Sequence, residues 1–255
     1  EIHFLVENIN EMMKEIEKLF DKVRLKEYEK RKSEIRLLQS QITPYFLYNT
    51  LNSIKWMATM QKAKPIADLV TSLSRLLKWS FSKSNSLIPL GEELNLLRDY
   101  FNILQVRYGN KMELEVIVEE PELLSYGVFT LSLQPLVENA VFHGLEPKEG
   151  SCLISVTIQR VEDTLQVDIE DNGVGIPQEK LAHLRRQLSH LPDVKVSENG
   201  VGLVNVHNRI QLECGDSYGL QVESKEGVYT RIRMLMPLVK VETGKIGEPD
   251  ERTDS

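Results

Sequence analysis

The spacing of apolar residues changes once along this chain of 255 residues, and the change divides it into two kinds of structure. Up to about residue 107 the apolar residues recur every three or four positions, as they do on one face of a helix. From about residue 111 they alternate with polar residues in short runs, as in half-buried strands. The pattern predicts an α+β chain, with helices first and then an α/β sandwich built on a mixed sheet.

The first segment carries a heptad repeat. Its apolar positions follow a 3-4 spacing and are Ile2, Leu5, Ile9, Met12, Ile16, Leu19 and Val23. This spacing predicts a coiled-coil seam within residues 1–33. A seam of about three heptads is too short to be stable alone, so it predicts a partner helix, most simply from a second copy of the chain. A single helix packed on its own domain is the alternative.

Residues 34–88 predict a helical hairpin with a turn at 61–65, and two such hairpins in a dimer would form a four-helix bundle. The first helix contains an unusual stretch, residues 41–52, in which Pro44 is followed by three aromatic residues and two asparagines. Proline kinks or bounds a helix, and asparagine is a poor helix-interior residue. The stretch fits either a kinked helix with an aromatic packing cluster or a site presented on a helix.

The second half, residues 89–239, predicts a layer of helices on a sheet. Its expected elements are helices over 90–107, 129–142, 178–191 and 200–213, a strand near 114–118, and two hairpins, 154–169 and 218–236, that turn at Glu162-Asp163 and Glu226-Gly227. The tail, residues 240–255, is polar and charged, so we expect it to be disordered.

Composition argues against several functional classes. The formal net charge of -7 makes a nucleic-acid partner unlikely on electrostatic grounds. The two cysteines have no metal-ligand spacing, which suits a reducing compartment. No apolar run approaches the ~20 residues that span a bilayer, and no signal peptide is recognisable. The chain begins at Glu1 within a helical pattern, so we expect it to be part of a longer protein.

Two glycine pairs suggest a phosphate-bearing ligand. In Asp171-Asn172-Gly173-Val174-Gly175, glycines at a strand end let the backbone approach a ligand, and the carboxylate can accept a hydrogen bond from an amine such as that of adenine. Asn199-Gly200-Val201-Gly202-Leu203 precedes a helix, whose free N–H groups suit phosphate. Each motif alone also fits an ordinary turn or helix start, but two pairs about 25 residues apart are less easily accidental.

The helix predicted over 129–142 carries Glu138 and Asn139, whose oxygen atoms suit a hard divalent cation that bridges phosphates. A plain polar helix face is the alternative. His143 follows at the helix end and is a candidate cofactor-binding residue, although a histidine there is more often a cap or dipole partner. The common phosphate-binding loop G-x-x-x-x-G-K-[ST] and the protein-kinase signature set are absent from the sequence.

Three motifs in chain order resemble the GHKL-type ATP-binding domain shared by sensor histidine kinases, gyrase-type topoisomerases, one class of heat-shock chaperones and MutL proteins. They are Pro135-Leu136-Val137-Glu138-Asn139-Ala140, Asp171-x-Gly173-x-Gly175 and Gly200-x-Gly202-Leu203. Residues 38–52 resemble the phosphoacceptor segment of the LytS/YesM branch of histidine kinases, L-Q-x-Q-I-N-P-H-F-L-Y-N-T-L-N. Pro89-Leu90-x-Glu92-Glu93-Leu94 and Arg107-Tyr108-Gly109 are similar to its connecting helix, and the first residues to the end of a HAMP module.

The resemblance, which covers about residues 1–237, implies a site for ATP and Mg²⁺. Asn139 would ligate Mg²⁺, Glu138 would be a second polar contact or a base, and Asp171 would hold the adenine amine. The remaining implied residues are Gly173 and Gly175, which would shape the pocket, Gly200, Gly202, Leu203 and Asn205, which would line the phosphate side, and 176–199, which would form the ATP lid.

The resemblance also implies a setting for the protein. It would be the cytoplasmic portion of a membrane-anchored bacterial sensor, attached to the membrane only through segments outside this chain. It would act as a homodimer, receive signals through residues 1–33, and pass phosphate from a histidine to an aspartate of a cognate response regulator.

One residue departs from the family pattern, because Tyr45 stands where the family has its phosphoacceptor histidine. Histidine offers a neutral nucleophile near neutral pH, whereas a tyrosine hydroxyl, with a usual pKa of about 10, needs a base, and Phe46 next to it supplies none. We predict that the chain binds ATP without phosphorylating itself at this position. An engineered replacement, a natural pseudokinase that acts as an ATP-dependent switch, and phosphorylation of Tyr45 itself remain open. Thr43 in place of asparagine is a milder departure.

Overall fold

The computed structural model describes residues 44–81, 86–109, 111–146, 148, 150–189 and 201–241. The predicted coiled coil over 1–33, the part of the predicted lid over 190–199, Gly200, and the tail beyond Val241 lie outside these residues. The chain divides into two compact units, residues 1–54 and 55–255.

The described part of the first unit is helical. Helix α1 (Pro44–Met60) begins here and continues into the second unit. The Thr50 hydroxyl donates to the carbonyl oxygen of Phe46 at 2.8 Å, so this threonine bonds to its own helix. Tyr45 is 75% exposed and Phe46 is 65% exposed, so neither is packed into an aromatic cluster among the described residues. The predicted kink at Pro44 involves residues 41–43, which lie outside the described residues.

The second unit continues from the end of α1. Its further elements, in chain order, are α2 (Lys64–Phe81), β1 (Leu87–Pro89), α3 (Leu90–Tyr108), β2 (Met112–Val118), β3 (Gly127–Phe129), α4 (Gln134–Asn139, extended by wider π-type turns over Ala140–Leu145), β4 (Cys152–Val161), β5 (Thr164–Asp171), α5 (Gln178–Ser189), α6 (Val201–Cys214), β6 (Gly219–Lys225) and β7 (Tyr229–Pro237). Among the described residues, no helix combines the length and the apolar character that crossing a membrane requires.

A tight turn joins α1 to α2 and forms the predicted hairpin. Lys62 takes a left-handed backbone conformation, with φ at 56°, and the Ala63 N–H donates to the Ala58 carbonyl at 2.8 Å. Several large apolar side chains on this hairpin are exposed in the single chain: Trp56, Met57, Met60 and Ile66. This exposure is what a helix pair needs if it is to pack against another copy, and the four-helix bundle stays a prediction.

A mixed sheet of five strands, in the order β2-β4-β5-β7-β6, forms one layer of the domain. β2 runs parallel to β4, and the other neighbouring pairs are antiparallel. Alternate residues of β4, such as Ile154 and Val156, are fully buried under the helices. Residues of the other face form ion pairs, among them Arg233 with Asp168 at 2.8 Å. The mixed sheet and both hairpins predicted from alternation are confirmed.

The predicted helix over 129–142 begins later than expected. Phe129 ends β3, which pairs with β1 in a two-stranded sheet, and α4 starts only at Gln134. The Glu93 carboxylate accepts the N–H groups of Leu131 and Leu133 at 2.8 and 2.9 Å. Leu131 is held at a φ of 56°, which no helix interior allows. A contact from an earlier helix therefore sets where α4 starts.

The last described residues return to the start of this domain. The Gly127 N–H of β3 donates to the Val239 carbonyl at 2.8 Å, and the Val241 N–H donates to the Ser125 carbonyl at 3.2 Å. A Cβ atom on Gly127 would meet a methyl group of Val241, so a side chain here would require Val241 to shift. β3 thus lies between β1, at the start of the domain, and the segment at its end.

A buried carboxylate joins α2 to α3. Asp99 of α3 is 6% exposed, and its two oxygens accept hydrogen bonds from Ser72 at 3.0 Å and from Arg75 at 2.7 Å. Because a buried carboxylate is costly unless its oxygens are satisfied, this contact ties the second hairpin helix to α3.

We expect Arg75→Met to lower the free energy of unfolding by about 1 to 2 kcal/mol, because it removes a charged donor from the buried Asp99 carboxylate and leaves the hydrogen bond from Ser72. Urea unfolding followed by circular dichroism would measure the loss. Arg98→Met is the matched control, since Arg98 is exposed and contacts Asn95 at 3.3 Å. Equal losses in both variants would contradict the role of the Asp99 contact.

Candidate functional site

Asp171, the last residue of β5, is a buried carboxylate that is 2% exposed. Its Oδ1 atom accepts the N–H of Gly173 at 2.9 Å. Burial raises the pKa of the Asp171 carboxyl to about 6, the charge of Glu170 adds to the rise, and the Gly173 N–H and the Lys148 ammonium oppose it. A carboxylate held in such surroundings is suited to bind a hydrogen-bond donor of a ligand.

The glycines around Asp171 permit a close approach of two backbone segments. A Cβ atom on Gly173 would clash with the carbonyl of Gly144, and a Cβ atom on Gly144 would clash with the Asp171 carboxylate. The Gly144 carbonyl, in the π-type turns after α4, accepts the Val174 N–H at 2.9 Å. The segment after α4 is therefore packed directly onto the Asp171–Gly173 turn.

The second half of this glycine turn lies against the β6–β7 hairpin. Gly175 has a left-handed φ of 67°, and a Cβ atom there would clash with the Lys225 carbonyl. The Val174 carbonyl accepts the Gly227 N–H at 2.6 Å. Ile176 donates its N–H to the Ser224 hydroxyl at 2.8 Å. These contacts fix the turn on both sides, so its shape is largely formed before any ligand binds.

Glu138 and Asn139 lie together on α4, and both are partly buried. The Glu138 Oε1 atom accepts the side-chain N–H of Gln134 at 2.8 Å. Tyr100 of α3 lies near Glu138, and burial, followed by the charge of this carboxylate, raises the pKa of the Tyr100 hydroxyl. His143 is exposed in the π-type turns, one residue before Gly144. The two candidate oxygen ligands are thus on one helix, and Glu138 is oriented by its hydrogen bond from Gln134.

The helix α6 begins at the second glycine pair. Gly202 is exposed, and a Cβ atom added there would lie 3.4 Å from the Pro135 side chain of α4. Asn205 is exposed, one turn farther along the helix. Leu203 is 3% exposed and belongs to the hydrophobic core, so its side chain packs inward and only its backbone remains available to a ligand.

The α4 segment therefore contacts both glycine motifs, one at each of its ends. At its start, Pro135 adjoins Gly202, and at its end, Gly144 adjoins Asp171 and Gly173. Of the predicted site residues, Gly200 lies outside the described residues. The arrangement offers a buried acceptor at one end, oxygen ligands in the middle and a helix N-terminus at the other end.

Sequence reasoning gave no role to three side chains that support this site. Glu93 is 1% exposed, and burial raises the pKa of its carboxyl to about 7, although the backbone N–H groups that it accepts and the Arg209 charge oppose the rise. Tyr100, which is on α3 like Glu93, lies near Glu138 of α4. Lys148 donates to the Asn172 carbonyl, beside Asp171. The signal for Glu93 was available, because this acidic residue occurs with apolar spacing between Leu90 and Leu97.

Two family models match the chain. Residues 33–112 match the model described as histidine kinase. Residues 129–240 match the model described as histidine kinase-, DNA gyrase B-, and HSP90-like ATPase. The second match contains the whole of the site from Pro135 to Asn205, which implies that this domain binds ATP.

Curated relatives agree with these matches. The sensor histidine kinase YesM of Bacillus subtilis is 32% identical over 239 residues, which are 92% of this chain and 38% of that protein. The sensor histidine kinase YpdA of Escherichia coli is 33% identical over 196 residues, 76% of this chain and 33% of that protein. The putative uncharacterized protein YwpD of Bacillus subtilis is 32% identical over 225 residues, 87% of this chain and 75% of that protein. The chain thus spans well under half of YesM and YpdA.

Solved structures give more distant matches. The histidine kinase domain from the Erythrobacter litoralis EL346 blue-light activated histidine kinase is 19% identical, with a TM-score of 0.42, and covers 76% of this chain and 94% of that one. The catalytic domain of histidine kinase ThkA (TM1359) is 14% identical, with a TM-score of 0.44, and covers 60% of this chain and 95% of that one. The sequence matches, rather than these structures, connect the chain with its relatives.

We expect Asp171→Asn to raise the free energy of unfolding by about 3 kcal/mol at pH 7. Because burial raises the pKa of Asp171 from 3.8 to about 6, the folded chain holds more protons than the unfolded chain between these values. The unfolding free energy of the unchanged protein therefore falls as the pH rises through this window, and the variant lacks this fall. Urea titrations between about pH 4.5 and 7.5 would measure the slope.

Asp163→Asn is the control for this measurement, because the Asp163 side chain is fully exposed in a hairpin turn. Its unfolding free energy should follow that of the unchanged protein at every pH. If Asp171→Asn does the same, the buried Asp171 carboxylate does not have the pKa described here.

Proposed function

Because the chain belongs to the histidine kinase family, in the branch that includes the sensor histidine kinase YesM, we propose that it is the kinase core of a two-component sensor. The core would bind ATP with Mg²⁺ and serve phosphotransfer to a histidine and then to an aspartate of a response regulator. The observation that carries this proposal is the α4 segment, whose start adjoins Gly202 and whose end adjoins the buried Asp171.

Asp171 would recognise the adenine end of ATP. Its Oδ1 atom accepts the Gly173 N–H, and its second oxygen can accept a hydrogen bond from the exocyclic amine. Gly173 and Gly175 would shape the wall of this pocket, because side chains at either position would clash with neighbouring backbone. The rigid turn supports a preformed adenine pocket, and residues 176–199 would form the lid.

Asn139 and Glu138 would serve the phosphate end. Mg²⁺ prefers oxygen ligands and is commonly held by one or two protein groups together with phosphate oxygens. The pair on α4 fits this pattern, in which phosphate oxygens and waters supply the other ligands. When bound, the ion would neutralise phosphate charge. We assign Asn139 as the ligand and Glu138 as a second polar contact or a base, with His143 nearby.

The N-terminus of α6 would face the phosphates. Gly202, the second residue of this helix, has no side chain, and the first N–H groups of a helix attract anions. Asn205 is exposed one turn farther on and would reach the same side, whereas Leu203 would contribute only its backbone. Gly200 completes this motif in the sequence.

The proposed partners and cellular location rest on membership of the histidine kinase family. The exposed apolar side chains of the α1–α2 hairpin support a homodimer, and the coiled-coil pattern over residues 1–33 supports a HAMP-like signal input. A response regulator would receive the phosphate. The chain would be the cytoplasmic part of a bacterial sensor, with its membrane anchor and the domain that detects the signal outside residues 1–255.

Tyr45 makes a non-catalytic switch the second candidate function. An exposed tyrosine at the position of the expected histidine lacks the imidazole that accepts phosphate in this family. ATP binding could then change the arrangement of the domains without any transfer of phosphate. The same residue is consistent with an engineered replacement that keeps the protein unphosphorylated.

We expect γ-labelled ATP with Mg²⁺ to label the Tyr45→His variant roughly 100-fold or more above the unchanged chain, because only the variant offers an imidazole nucleophile. Electrophoresis under mildly alkaline conditions, which preserve phosphohistidine, would measure the label. Tyr45→Phe is the control for tyrosine phosphorylation, and Asp171→Asn in the histidine variant is the control for ATP binding.

The outcomes separate the candidates. Label on the unchanged chain that disappears in Tyr45→Phe would identify Tyr45 as an acceptor. If neither chain is labelled although calorimetry detects ATP binding, the switch is favoured over the kinase core. If the unchanged chain binds no ATP, both proposals are wrong.

A further inference from the structure

Helix α3 carries two polar side chains on its otherwise apolar face, Glu93 and Tyr100, seven residues apart. This separation is close to two helical turns, so both side chains leave the helix on the same side. Each contacts the α4 region: Glu93 at the residues before α4, and Tyr100 at Glu138 on α4.

Glu93 sets the position at which α4 begins. Its two carboxylate oxygens accept the N–H groups of Leu131 and Leu133, so both oxygens bond to backbone. A glutamine would offer one oxygen and one NH₂ group, and the NH₂ group would face an N–H donor. The geometry therefore needs a carboxylate in particular, whereas a plain helix packing position would accept any residue of similar size.

Arg209 of α6 holds the same backbone stretch from the other side. Its guanidinium donates to the Thr130 carbonyl at 3.0 Å and lies over the Phe129 ring at 4.6 Å. Its charge also faces Glu93 and opposes the rise in the pKa of that carboxyl. Residues 129–133 are thus held by hydrogen bonds to Glu93 of α3 and from Arg209 of α6.

Tyr100 acts on the α4 side chain that lies beside the candidate metal ligand. Its hydroxyl lies near the Glu138 carboxylate, whose charge helps to raise the pKa of that hydroxyl, and Gln134 donates to Glu138 Oε1 at 2.8 Å. The Gln134 hydrogen bond orients this carboxylate next to Asn139, and Tyr100 lies beside it. Loss of the hydroxyl would leave the ring in place and remove a polar neighbour of this carboxylate.

We propose that α3 positions the metal and phosphate side of the nucleotide site, with Glu93 and Tyr100 as the positioning residues. This inference rests on the proposed function of Asn139 and Asp171. Helix α3 also contacts α2, since Asp99 on α3 accepts hydrogen bonds from Ser72 and Arg75 of α2. It therefore connects α2 with the α4 region. A displacement of α3 would therefore change the positions of Glu138 and Asn139 more directly than that of the Asp171 turn.

The test compares ATP affinity by titration calorimetry with Mg²⁺ and with EDTA in its place. We expect Tyr100→Phe and Glu93→Gln each to reduce the gain in affinity that Mg²⁺ provides by about fivefold, as the loss of one oriented hydrogen bond would. Binding without Mg²⁺ should stay unchanged, because Asp171 and its glycine turn do not contact α3 through these residues.

Matched controls lie on the same helix. Tyr108→Phe removes a hydroxyl that contacts Glu146 at 3.4 Å, and Glu92→Gln neutralises the residue next to Glu93. Both should keep the full gain from Mg²⁺. Thermal unfolding of every variant would report stability separately, and Tyr100→Phe serves where Glu93→Gln proves too unstable to study.

Three results would overturn the inference. The first is an unchanged gain from Mg²⁺ in both variants. The second is an equal loss of affinity with and without Mg²⁺, which indicates a merely structural role. The third is an ATP affinity of the unchanged chain that is the same with and without Mg²⁺. This result would also contradict the proposed role of Asn139 as a metal ligand. Failure of the proposed ATP site is distinguishable, because Asp171→Asn would then bind ATP as the unchanged chain does.

Discussion

The packing of Gly144 onto the Asp171–Gly173 turn is the contact on which the candidate site depends. Residue 173 could not come so close to the Gly144 carbonyl if it carried a side chain, and a side chain on Gly144 would clash with the Asp171 carboxylate. The contact fixes the end of the α4 segment against β5, while Pro135 fixes its start against α6. Acceptor, oxygen ligands and helix N-terminus therefore keep their mutual positions without a ligand. The loss of conformational entropy that ordering these groups requires therefore occurs on folding and does not reduce the affinity for a ligand.

Much of this architecture was predictable, because strands β4 to β7 alternate regularly and their turns contain glycine or acidic residues. The start of α4 was not, since the Glu93 carboxylate that diverts Leu131 comes from 38 residues earlier in the chain. The sheet of β1 and β3 was missed because strands of three residues are too short to show alternation. Leu203 was assigned to the ligand by its motif, whereas its side chain is in the core.

The candidate site residues were found by motif, and the residues that hold them were not. Asp171 and Asn139 belong to short patterns that a sequence displays directly. Glu93, Tyr100 and Arg209 act through tertiary contacts with residues 129–138, and such contacts have no local signature. For Glu93 the sequence offered two clues, its place in the Pro89–Leu94 motif and its acidic side chain at apolar spacing within a helix. Supporting residues of this kind are visible only once the helices are placed.

The place of β3 between β1 and the segment around Val239 has a consequence for how this domain is joined to other domains. The chain enters the domain through β1 and leaves it beside the same short strand, so both ends emerge at one edge. A module with adjacent termini can be attached, exchanged or duplicated without disturbing its core. Such geometry favours evolutionary recombination, in which the same folded unit is joined to different neighbouring domains.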